Sequence, residues 1–549
     1  MIDAVPGATY ADLREGFRWP IPDRFNIGTA CSTEQDQQAL ALIEVGGDEV
    51  RRYTFGDLTQ QSDRLAGGLR RLGIARGDRV AVMLPQGLAC GIAHLAVYKL
   101  GAVAVPLTQL FGPQALQYRL GDSGAKLVLT DASSLDLVTE VARELDADIV
   151  VAGAADTGGD GAGQHVSMEA LMAQAPAEFE AEVTGPDDPA VIIYTSGTTG
   201  APKGALHAHR VLLGHLPGFE LMFDRFPQAD DRVWTPADWA WIGGLFDVLM
   251  PTWFHGRPVI ATPKARFEPE AALRLMVEHE VTATFLPPTA LKMMRRATLP
   301  DLDHSLRVIM SGGEPLGGEM LAWSRERFGI DINEIYGQTE ANLLVGNSSA
   351  VWEVRPGSMG RPYPGHRLAI LDSAGVLAPP GVEGEIVVRS DDPVVMLGYW
   401  KNPDATEGKF TTVTGADGRS HRWLRTGDLG NVDEDDYFWF SSREDDVITS
   451  AGYRIGPAEI EECILGHPAV AMVAVIGIPD ELRGQVVKAF VKLAPTHAPA
   501  DELAEEIREH VRARLATYEY PRHVEFIDEL PMTTTGKVRR SELRSWGSH

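Results

Sequence analysis

The sequence contains little cysteine: Cys31, Cys90 and Cys463 are the three in 549 residues. An odd number of widely spaced cysteines argues against a disulfide framework, and their lack of clustering argues against a cysteine-rich zinc site. Basic residues are outnumbered, with 50 Lys and Arg against 77 Asp and Glu and a formal net charge of −27. So acidic a surface is a poor partner for nucleic acid or an anionic membrane, and we expect neither. Small anionic ligands remain open, because they respond to the local field of a cleft.

Long uninterrupted apolar runs are also missing. The segment nearest to one, residues 80–98, carries no charge apart from His94 when protonated, but Pro85, Gly87 and Gly91 interrupt it. We expect a strand followed by a helix there, and no membrane span. The first residues, MIDAVPGATYADLREGF, lack the basic start and apolar run of a secretory signal. The sequence therefore predicts a cytoplasmic protein.

Hydrophobic residues make up 44% of the chain and charged residues 23%, the balance of a folded globular protein. Short β-branched runs alternate with helical stretches; they are AVMLP, GAVAVPL, AKLVLT, DPAVIIYT, RPVIAT and SLRVIMSGG. This alternation predicts an α/β architecture with parallel sheets wrapped by helices. Later strands carry more turn signals, and the last hundred or so residues mix strands with the amphipathic helix DELAEEIREHVRARLA. We expect an N-terminal domain over residues 1–443, a hinge at 444–446 and a small α+β domain over 447–549.

The most informative segment is YTSGTTGAPKG at residues 194–204, directly after the apolar run AVII. Its glycines let the backbone bend and approach a ligand, and successive N–H groups in such a turn form a nest for anions. Hydroxyl donors and a positive charge come from Thr195, Ser196, Thr198, Thr199 and Lys203. The segment is not a Walker A loop, because Gly204 stands where Ser or Thr is required. By itself, it fits either a phosphate-binding loop or a flexible surface turn.

The same segment resembles the signature loop of the adenylate-forming (AMP-binding) superfamily, which includes acyl-CoA synthetases, luciferases and peptide-synthetase adenylation domains. Further segments match the other motifs of that family in order: SGGEP (311–315), YGQTE (336–340), LRTGD (424–428), REDDVI (443–448), GYRIG (452–456) and PMTTTGK (531–537). The sequence is identified as a member of this superfamily and is most similar to medium-chain acyl-CoA synthetases. The resemblance implies a large N-terminal α/β domain of wrapped sheets, a β-barrel-like subdomain and a small mobile α+β C-terminal domain.

The resemblance also implies an AMP-forming acid–thiol ligase that uses ATP, Mg²⁺ and coenzyme A on a small carboxylic acid. Activation by ATP brings two anions together, so the site must neutralise charge as the α-phosphate is attacked. Glu340 is the implied Mg²⁺ ligand, a hard oxygen for a hard cation, and Thr339 the implied α-phosphate contact. The full set implied to bind ATP is Thr195, Ser196, Gly197, Thr198, Thr199, Lys203, Gly313, Glu314, Pro315, Tyr336, Gly337, Gln338, Asp428, Arg443 and Arg454.

Within that set, Tyr336 is implied to pack on adenine and Asp428 to accept the ribose hydroxyls, assisted by Arg443. Arg454 is implied to contact phosphate when the domains close. Taken alone, Glu340 could equally cap a helix, and the RTGD segment could be an ordinary turn. The functional interpretation of these residues therefore depends on the family resemblance.

The resemblance implies that Lys537 is catalytic, its ammonium bridging the substrate carboxylate and the α-phosphate. An isolated lysine in a polar C-terminal turn is usually only solvated, so this role also depends on the motif. Asp445 occupies the hinge about which the family rotates its small domain between the two half-reactions. Gly452 and Tyr453 are implied to line the path of the pantetheine thiol of coenzyme A.

Three glycines occupy implied acyl-pocket positions: Gly243, Gly312 and Gly337, the last where the acetate-activating branch has tryptophan. We expect them to leave room for an acid larger than acetate, of medium chain length, branched or aromatic, because each buried methylene contributes about 0.8 kcal/mol. Trp239, Trp241 and Ile242 are expected to shape the wall, although core packing explains the tryptophans equally well. Gly243 stands where amino-acid adenylation domains carry an aspartate and Asp247 is out of register, which argues against amino-acid activation.

Other functional interpretations remain open at this point. An adenylating ligase that loads a carrier protein would share the fold, and CoA dependence of AMP release distinguishes it. A non-catalytic nucleotide-binding protein is disfavoured by the joint presence of Lys203, Glu340, Asp428 and Lys537. Two departures from the family pattern, Ser441-Ser442 before Arg443 and Met532 in the lysine motif, affect rates more than reaction type. Acetylation of Lys537 is a hypothetical off-switch, and a homodimer is left open.

Overall fold

The computed structural model describes residues 8–47, 49–145, 147–153, 165–195, 201–263, 267–415, 418–443, 446–450, 453–480, 483–515, 519–533 and 537–546. The strands before residue 444 are β1 (Leu40–Gly46), β2 (Glu49–Thr54), β3 (Arg79–Met83), β4 (Val103–Pro106), β5 (Leu127–Asp131), β6 (Asp148–Ala152), β7 (His165–Ser167), β8 (Pro189–Thr195), β9 (Lys203–Ala208), β10 (Val233–Trp234), β11 (Val259–Ala261), β12 (Ala283–Phe285), β13 (Val308–Gly312), β14 (Ile332–Gln338), β15 (Ala341–Gly346), β16 (Arg361–Pro362), β17 (Leu368–Leu371), β18 (Gly384–Arg389), β19 (Gly398–Tyr399), β20 (Phe410–Thr414), β21 (Ser420–Val432) and β22 (Phe438–Arg443).

The helices of the same region cover the sheets. They are α1 (Tyr10–Gly16), α2 (Ile27–Ala30), α3 (Phe55–Arg71), α4 (Leu88–Lys99), α5 (Pro113–Ser123), α6 (Leu135–Leu145), α7 (Met168–Ala173), α8 (Val211–Met222), α9 (Ile242–Gly244), α10 (Met250–Phe254), α11 (Pro269–Glu278), α12 (Pro288–Arg296), α13 (Gly318–Phe328) and α14 (Pro403–Gly408), with a π-helix at Leu245–Leu249 between α9 and α10. The largest fully buried side chains among them include Trp253, Tyr98 and Phe219. In the described ranges no helix is long and apolar enough to cross a bilayer.

Two large, mostly parallel sheets form the N-terminal region. One has the strand order β16-β15-β14-β13-β12-β10-β11-β1-β2, and the other β19-β9-β8-β4-β3-β5-β6-β7. Strands connected through helices pair in parallel in such sheets, which need apolar helices on both faces. Helices α4 and α8 fit this rule, because nearly every residue of each is buried. The predicted strand–helix pair at residues 79–99 and the α/β architecture are thereby confirmed.

A third, antiparallel sheet has the order β17-β18-β21-β20, with β22 pairing with β21. This sheet is the part of the N-terminal region in which the β-barrel-like subdomain was expected. Its strands β21 and β22 end near the edge of the nine-stranded sheet, where Gly360 forms an isolated bridge with Phe438.

The C-terminal region has its own sheet. Its elements are β23 (Ile448–Ser450), β24 (Tyr453–Ile455), α15 (Pro457–Leu465), β25 (Val470–Asp480), β26 (Gly484–Leu493), α16 (Asp501–Arg512), β27 (His523–Phe526) and α17 (Arg540–Trp546). The strand order is β24-β23-β26-β25, and β27 pairs with β26 in parallel. This α+β composition agrees with the sequence pattern, and α16 falls on the predicted amphipathic segment. The exact division at residues 444–446 stays a prediction, since residues 444 and 445 lie outside the described ranges.

Candidate active site

Asp428 is fixed at a sharp bend in the long strand β21. Its backbone N–H donates to the Thr426 hydroxyl at 3.0 Å, and that hydroxyl donates to the Ile386 carbonyl at 2.7 Å. Gly427 between them has a φ of +73°, in the left-handed region that favours glycine. The RTGD segment is therefore an irregularity within β21 that its own threonine stabilises, and it holds a carboxylate that is only 4% exposed.

The strand register places a cation directly opposite this carboxylate. Asp428 and Arg443 are partners across the β21–β22 pair, and their side chains approach to 3.4 Å. Burial works against the charge of Arg443, but the neighbouring acidic groups, Asp428 first among them, together outweigh it and raise the pKa of the guanidinium above its usual value. Arg443 therefore stays positively charged beside Asp428, as expected for a cation next to opposite charges.

Two side chains of β14 donate to the same carboxylate. The Tyr336 hydroxyl donates to Oδ2 of Asp428 at 2.7 Å, and the Gln338 amide donates to Oδ2 and, at 2.8 Å, to the Thr426 carbonyl. Burial and the Asp428 charge together raise the pKa of Tyr336 well above its usual value. Residues from three motifs that lie far apart in the sequence thus form one hydrogen-bonded cluster.

Thr339 and Glu340 form the two-residue connection between β14 and β15, whose last paired residues are Gln338 and Ala341. Such a connection makes a tight hairpin that presents both residues beyond the sheet. The hairpin is held from two sides: the Tyr399 hydroxyl donates to Glu340 Oε1 at 2.6 Å, and His207 Nε2 lies 2.7 Å from the Thr339 carbonyl. Burial lowers the pKa of His207 to about 4, so its ring is neutral and donates through Nε2.

The predicted phosphate loop lies between β8 and β9. Thr195 and Lys203 face each other at the open end of this antiparallel pair, and the Thr195 hydroxyl donates to the Lys203 carbonyl at 3.4 Å. The Lys203 ammonium lies 5.3 Å from the centre of the Tyr399 ring, and Tyr399 in turn holds Glu340. The four residues Ser196, Gly197, Thr198 and Thr199 lie outside the described residues.

The segment predicted to receive adenine follows β13. Gly313 has a φ of +96° with open space around its Cα, and Glu314 and Pro315 follow on the surface of the same turn. The preceding Ser311 is fully buried, and its hydroxyl has no partner within the described ranges. No contact of Glu314 or Pro315 with the Asp428 cluster is found there.

The glycines of the predicted acyl pocket do not border open space, which corrects the reason given for them from the sequence. A Cβ at Gly337 would lie 2.4 Å from the Leu343 backbone nitrogen, and one at Gly312 2.7 Å from the Ile335 side chain. Gly243 faces the Phe285 ring at 3.0 Å. Gly337 therefore lets β14 approach the backbone of β15, and Gly312 in β13 leaves room for the Ile335 side chain of β14. The presence of these glycines does not indicate a wide cavity. Their role in acid selection stays a prediction.

Of the three residues expected to shape the acyl wall, Trp239 is fully buried and packs against Trp253 with ring centres 6.4 Å apart. This is the core-packing alternative left open by the sequence. Trp241 and Ile242 are partly exposed, and Trp241 meets the Phe111 ring edge-on at 6.0 Å. Ile242 begins the short helix α9, which leads into the π-helix.

Comparison with known proteins now decides the family. The AMP-binding enzyme family matches residues 29–400, and its C-terminal domain matches residues 459–537. The chain belongs to the AMP-binding enzyme family. It is an AMP-forming acyl-CoA synthetase, an acid–thiol ligase that uses ATP, Mg²⁺ and coenzyme A and acts through an acyl adenylate.

Three relatives illustrate the range of this AMP-binding family. The chain is 34% identical to the mitochondrial acyl-coenzyme A synthetase ACSM3 of Mus musculus, over 98% of this chain and 93% of that protein. It is 33% identical to the acetyl-coenzyme A synthetase of Bacillus subtilis, over 94% and 88%. Among solved structures, the anthranilate CoA ligase AuaEII in complex with anthranoyl-AMP has a TM-score of 0.84 and 29% identity, covering 96% of this chain and 98% of that one.

The C-terminal motifs of this AMP-binding enzyme are described only in part. Asp445 and Gly452 lie outside the described residues, and of Tyr453 and Arg454 only the backbone, in β24, is described. Lys537 is exposed, and its N–H donates to the Thr533 hydroxyl at 3.0 Å. Its ammonium makes no hydrogen bond or ion pair with the rest of the described chain, so the structure does not bring it to the Asp428 cluster.

A charge network unnoticed in the sequence links the hinge to the lysine segment. Asp446 accepts a 2.6 Å hydrogen bond from Arg544 and a 3.4 Å one from Arg540, both in α17. Arg540 also donates twice to Glu461 at 2.7 Å. The helix that follows Lys537 is thus anchored to Asp446, the residue that follows Asp445.

Sequence reasoning also missed Tyr399, His207 and a buried polar group made by His215, Asp247 and Asn342. Tyr399 and His207 contact Glu340 and Thr339 from distant segments. Asn342 donates to Asp247 Oδ1 at 2.7 Å and lies 3.3 Å from His215 Nε2. The signal available was a single polar residue inside each of the apolar runs VLLGHLPGF and LFDVLM, since a lone buried polar residue needs a partner.

Proposed function

We propose that this enzyme activates a carboxylic acid larger than acetate, of medium chain length, branched or aromatic, and transfers its acyl group to coenzyme A. The observation that carries the proposal is the Asp428 cluster, where Arg443, Tyr336 and Gln338 converge on one buried carboxylate. The anthranilate CoA ligase, whose acid is larger than acetate, supports this substrate size.

In this proposal Asp428 accepts the two ribose hydroxyls of ATP. Its Oδ2 already receives hydrogen bonds from Tyr336 and Gln338, and Arg443 compensates its charge at Oδ1. A carboxylate held ionic in this way is a strong acceptor for hydroxyl donors. Tyr336 would then lie beside the base, with Gly313, Glu314 and Pro315 forming the other part of the adenine site.

Glu340 is proposed to hold Mg²⁺. In the described residues there is no group of three or more carboxylate, histidine or cysteine side chains that could hold a metal ion by itself. One carboxylate fits this cation, because Mg²⁺ keeps several waters and binds through one or two carboxylates and the phosphates of its nucleotide. When bound with ATP, the cation would neutralise phosphate charge. Tyr399 orients Glu340, and Lys203 and Thr339 would add a cation and a hydroxyl for the phosphates.

Lys537 is proposed to complete the site in the adenylation step. Attack of the substrate carboxylate on the α-phosphate gathers negative charge, and an ammonium placed between the two anions lowers the barrier. Its exposed position is compatible with a C-terminal domain that moves about Asp445 between the two half-reactions. After that movement Gly452 and Tyr453 would face the thiol of coenzyme A, and Arg454 would contact phosphate.

A pyrophosphate-release assay over a panel of acids, with and without coenzyme A, tests the proposal. We expect the fastest adenylation on acids of about six to ten carbons or on benzoate-like acids, and AMP release that depends on coenzyme A. A preference for acetate would refute the proposed substrate size. AMP release that requires a carrier protein instead of coenzyme A would refute thiol transfer to coenzyme A.

Substitution of Gly452 by leucine tests the proposed thiol path separately from adenylation. A side chain there would obstruct the thiol, so thioester formation should fall at least about a hundredfold, as expected when a reacting group is displaced. Pyrophosphate release on the first turnover should be retained. Equal loss in both half-reactions would contradict a role limited to coenzyme A.

Three further proposals concern the protein in the cell. A cytoplasmic location is proposed, although ACSM3 is named as mitochondrial, and fractionation of the native host tests it. Acetylation of Lys537 is proposed to stop adenylation by removing its charge, and an acetylated sample that retains activity would refute it.

A homodimer is also proposed, and light scattering, which measures the mass of the particle in solution, tests it.

A further inference from the structure

A chain of hydrogen bonds inside the protein joins His215, Asn342 and Asp247. All three are buried, with exposures of 0%, 2% and 4%. His215 lies in α8, Asp247 in the π-helix and Asn342 in β15, so three separate elements bring them together. A π-helix is an uncommon element that often occurs at functional sites.

The bonding pattern fixes which atoms are used. His215 Nδ1 lies 2.7 Å from the Val211 carbonyl and donates to it, so Nε2 carries the lone pair. The Asn342 amide nitrogen lies 3.3 Å from that lone pair and 2.7 Å from Asp247 Oδ1, so both of its protons are engaged. This geometry assigns the Asn342 carbonyl oxygen to the opposite side of the amide.

Two oxygens of the chain are left without a hydrogen-bond partner in the described part of the molecule: Oδ2 of Asp247 and Oδ1 of Asn342. A Cβ at Gly243 would lie 3.7 Å from the first, and a Cβ at Gly337 2.6 Å from the second. Gly243 and Gly337 are both among the residues predicted to line the acyl pocket. Neither oxygen is among the fully enclosed polar atoms without a partner in the described residues, so each borders space from which a ligand could reach it.

The protonation of the group is set by its surroundings. Burial raises the pKa of Asp247 to about 8, opposed by the hydrogen bond from Asn342, so the carboxyl is protonated near neutral pH. Burial lowers the pKa of His215 to about 3, so the imidazole is neutral. Since Oδ1 accepts from Asn342, the carboxyl proton belongs on Oδ2, which then donates, while Asn342 Oδ1 accepts.

We propose that Asp247 and Asn342 form a polar subsite at the acyl end of the active site that selects acids carrying a hydroxyl group. A hydroxyl both accepts and donates, so it satisfies Oδ2–H of Asp247 and the carbonyl of Asn342 together. His215 is a positioning residue that orients the Asn342 amide. The inference rests on the proposed function, since it names a property of the acid that the enzyme activates.

Matched pairs of acids provide the test: hexanoate with 6-hydroxyhexanoate, and benzoate with its 3- and 4-hydroxy and 4-amino derivatives. For at least one pair we expect kcat/KM of adenylation by the unmodified enzyme to favour the hydroxy acid by about tenfold or more, because a site built for a hydroxyl leaves polar groups unpaired when the hydroxyl is missing. Equal rates within every pair, or a preference for 4-aminobenzoate over the hydroxybenzoates, would overturn the inference.

Variants identify the residues responsible. Asp247→Leu should abolish the preference by reducing activity on the hydroxy acid at least about tenfold more than on its plain partner, whereas Asp247→Asn, which keeps a donor of similar shape, should retain part of it. Asp231→Asn is the matched control, because Asp231 is a buried carboxylate paired with Arg307 at 2.6 Å and should leave the ratio unchanged. An Asp247→Leu enzyme that keeps the hydroxyl preference would overturn the assignment.

The outcomes separate the two proposals. Pyrophosphate release with plain acids but no hydroxyl preference leaves the synthetase function standing and removes the subsite. No pyrophosphate release with any acid refutes the proposed function itself. Asn342→Leu gives an independent check, since it removes the acceptor and should also flatten the ratio while ATP-dependent protection against thermal unfolding persists.

Discussion

Asp428 and Asp247 are buried to similar extents, at 4% and 2% exposure, and both bond to residues of the β14–β15 hairpin. Asp428 accepts from Tyr336 and faces the guanidinium of Arg443. Asp247 accepts from the neutral Asn342, and its other close neighbour, His215, is neutral as well. One carboxyl thus has a cation beside it, whereas the other has only neutral partners and a pKa raised by burial to about 8.

The difference shows how one hairpin can serve two chemistries. Side chains alternate along a strand, so Tyr336 and Gln338 reach Asp428 while Gly337 between them faces Asn342. The nucleotide side is thereby charged and the acyl side neutral, although both lie within a few residues of each other. A charged group on the acyl side would be expensive to desolvate without a cation beside it.

The largest effect is expected from removing the Lys537 ammonium, which is proposed to reach the nucleotide side from the C-terminal domain. Lys537→Ala should lose about 3–4 kcal/mol of transition-state stabilisation in acyl-adenylate formation, because no other ammonium then bridges the two anions. Thioester formation from added acyl adenylate should be largely spared. Single-turnover assays of each half-reaction measure the two effects, with Arg539→Ala as a control at a neighbouring exposed cation. Equal losses in both steps would show that the role is wrongly assigned.

The next largest effect is expected from replacing the carboxylate of Asp428 with a neutral amide. Asp428→Asn deprives Arg443 of its carboxylate and the ribose hydroxyls of a charged acceptor, which should weaken ATP binding by about ten- to a hundredfold. Titration calorimetry with ATP measures this. The control is Asp433→Asn, which disrupts an ion pair with Arg355 in the connection that follows β21 and should leave ATP affinity unchanged. Unchanged ATP affinity of Asp428→Asn would remove the basis for calling this side the nucleotide side.

A smaller effect tests the strand that separates the two sides. Gly337→Ala should lower the free energy of unfolding by about 2 kcal/mol, because its Cβ would meet the Leu343 backbone nitrogen at 2.4 Å. Gly408→Ala is the control, since that position has open space around it. Urea denaturation compares the two. If Gly337→Ala is as stable as Gly408→Ala and accepts shorter acids, the sequence-based cavity interpretation would be restored.

The smallest effect is the pH dependence expected from a neutral Asp247. Its folded-state pKa of about 8 lies above the unfolded value, so the native state binds the extra proton between these values. The stability gained from it is present at low pH and is lost as the pH rises towards 8. Relative to Asp247→Asn, the unmodified protein should lose about 1 kcal/mol of unfolding free energy per pH unit between pH 6.5 and 8.

The groups that face Asp247 do not mask its expected pH dependence between pH 6.5 and 8. The pKa of His215 lies far below it, that of Tyr363 far above, and Asn342 does not titrate. Urea denaturation of both proteins across the window measures the difference. A difference between them that stays constant with pH would mean that Asp247 is ionised and that the contrast with Asp428 is false.

Local motifs singled out residues of the Asp428 cluster because these residues occur in short ordered segments, which strand pairing then brings together; their role in nucleotide binding stays a prediction. Asp428 and Arg443, for example, are exact register partners across two strands. The acyl side was harder to predict. Asn342 lies 95 residues from Asp247 and 127 from His215, and no local pattern connects them.

Glycine was the other source of error. At Gly312 and Gly337 the missing side chain was interpreted as free volume, whereas the space is occupied by Ile335 and by the backbone of β15. A sequence records that a side chain is missing but does not record what fills its place. The α/β architecture was predictable because periodic apolar runs are local, while the order of the strands within each sheet depends on pairings between distant segments.

The hydrogen bond from Tyr399 to Glu340 has a consequence for how the enzyme acquires its metal. The carboxylate is already engaged by a phenol, and among the described residues it belongs to no group of three or more acidic, histidine or cysteine side chains that could chelate a cation. Free magnesium should therefore bind the empty enzyme only weakly, and the ion should enter as part of its complex with the nucleotide. An experimenter who varies magnesium at constant total ATP would then in effect be varying the concentration of a substrate.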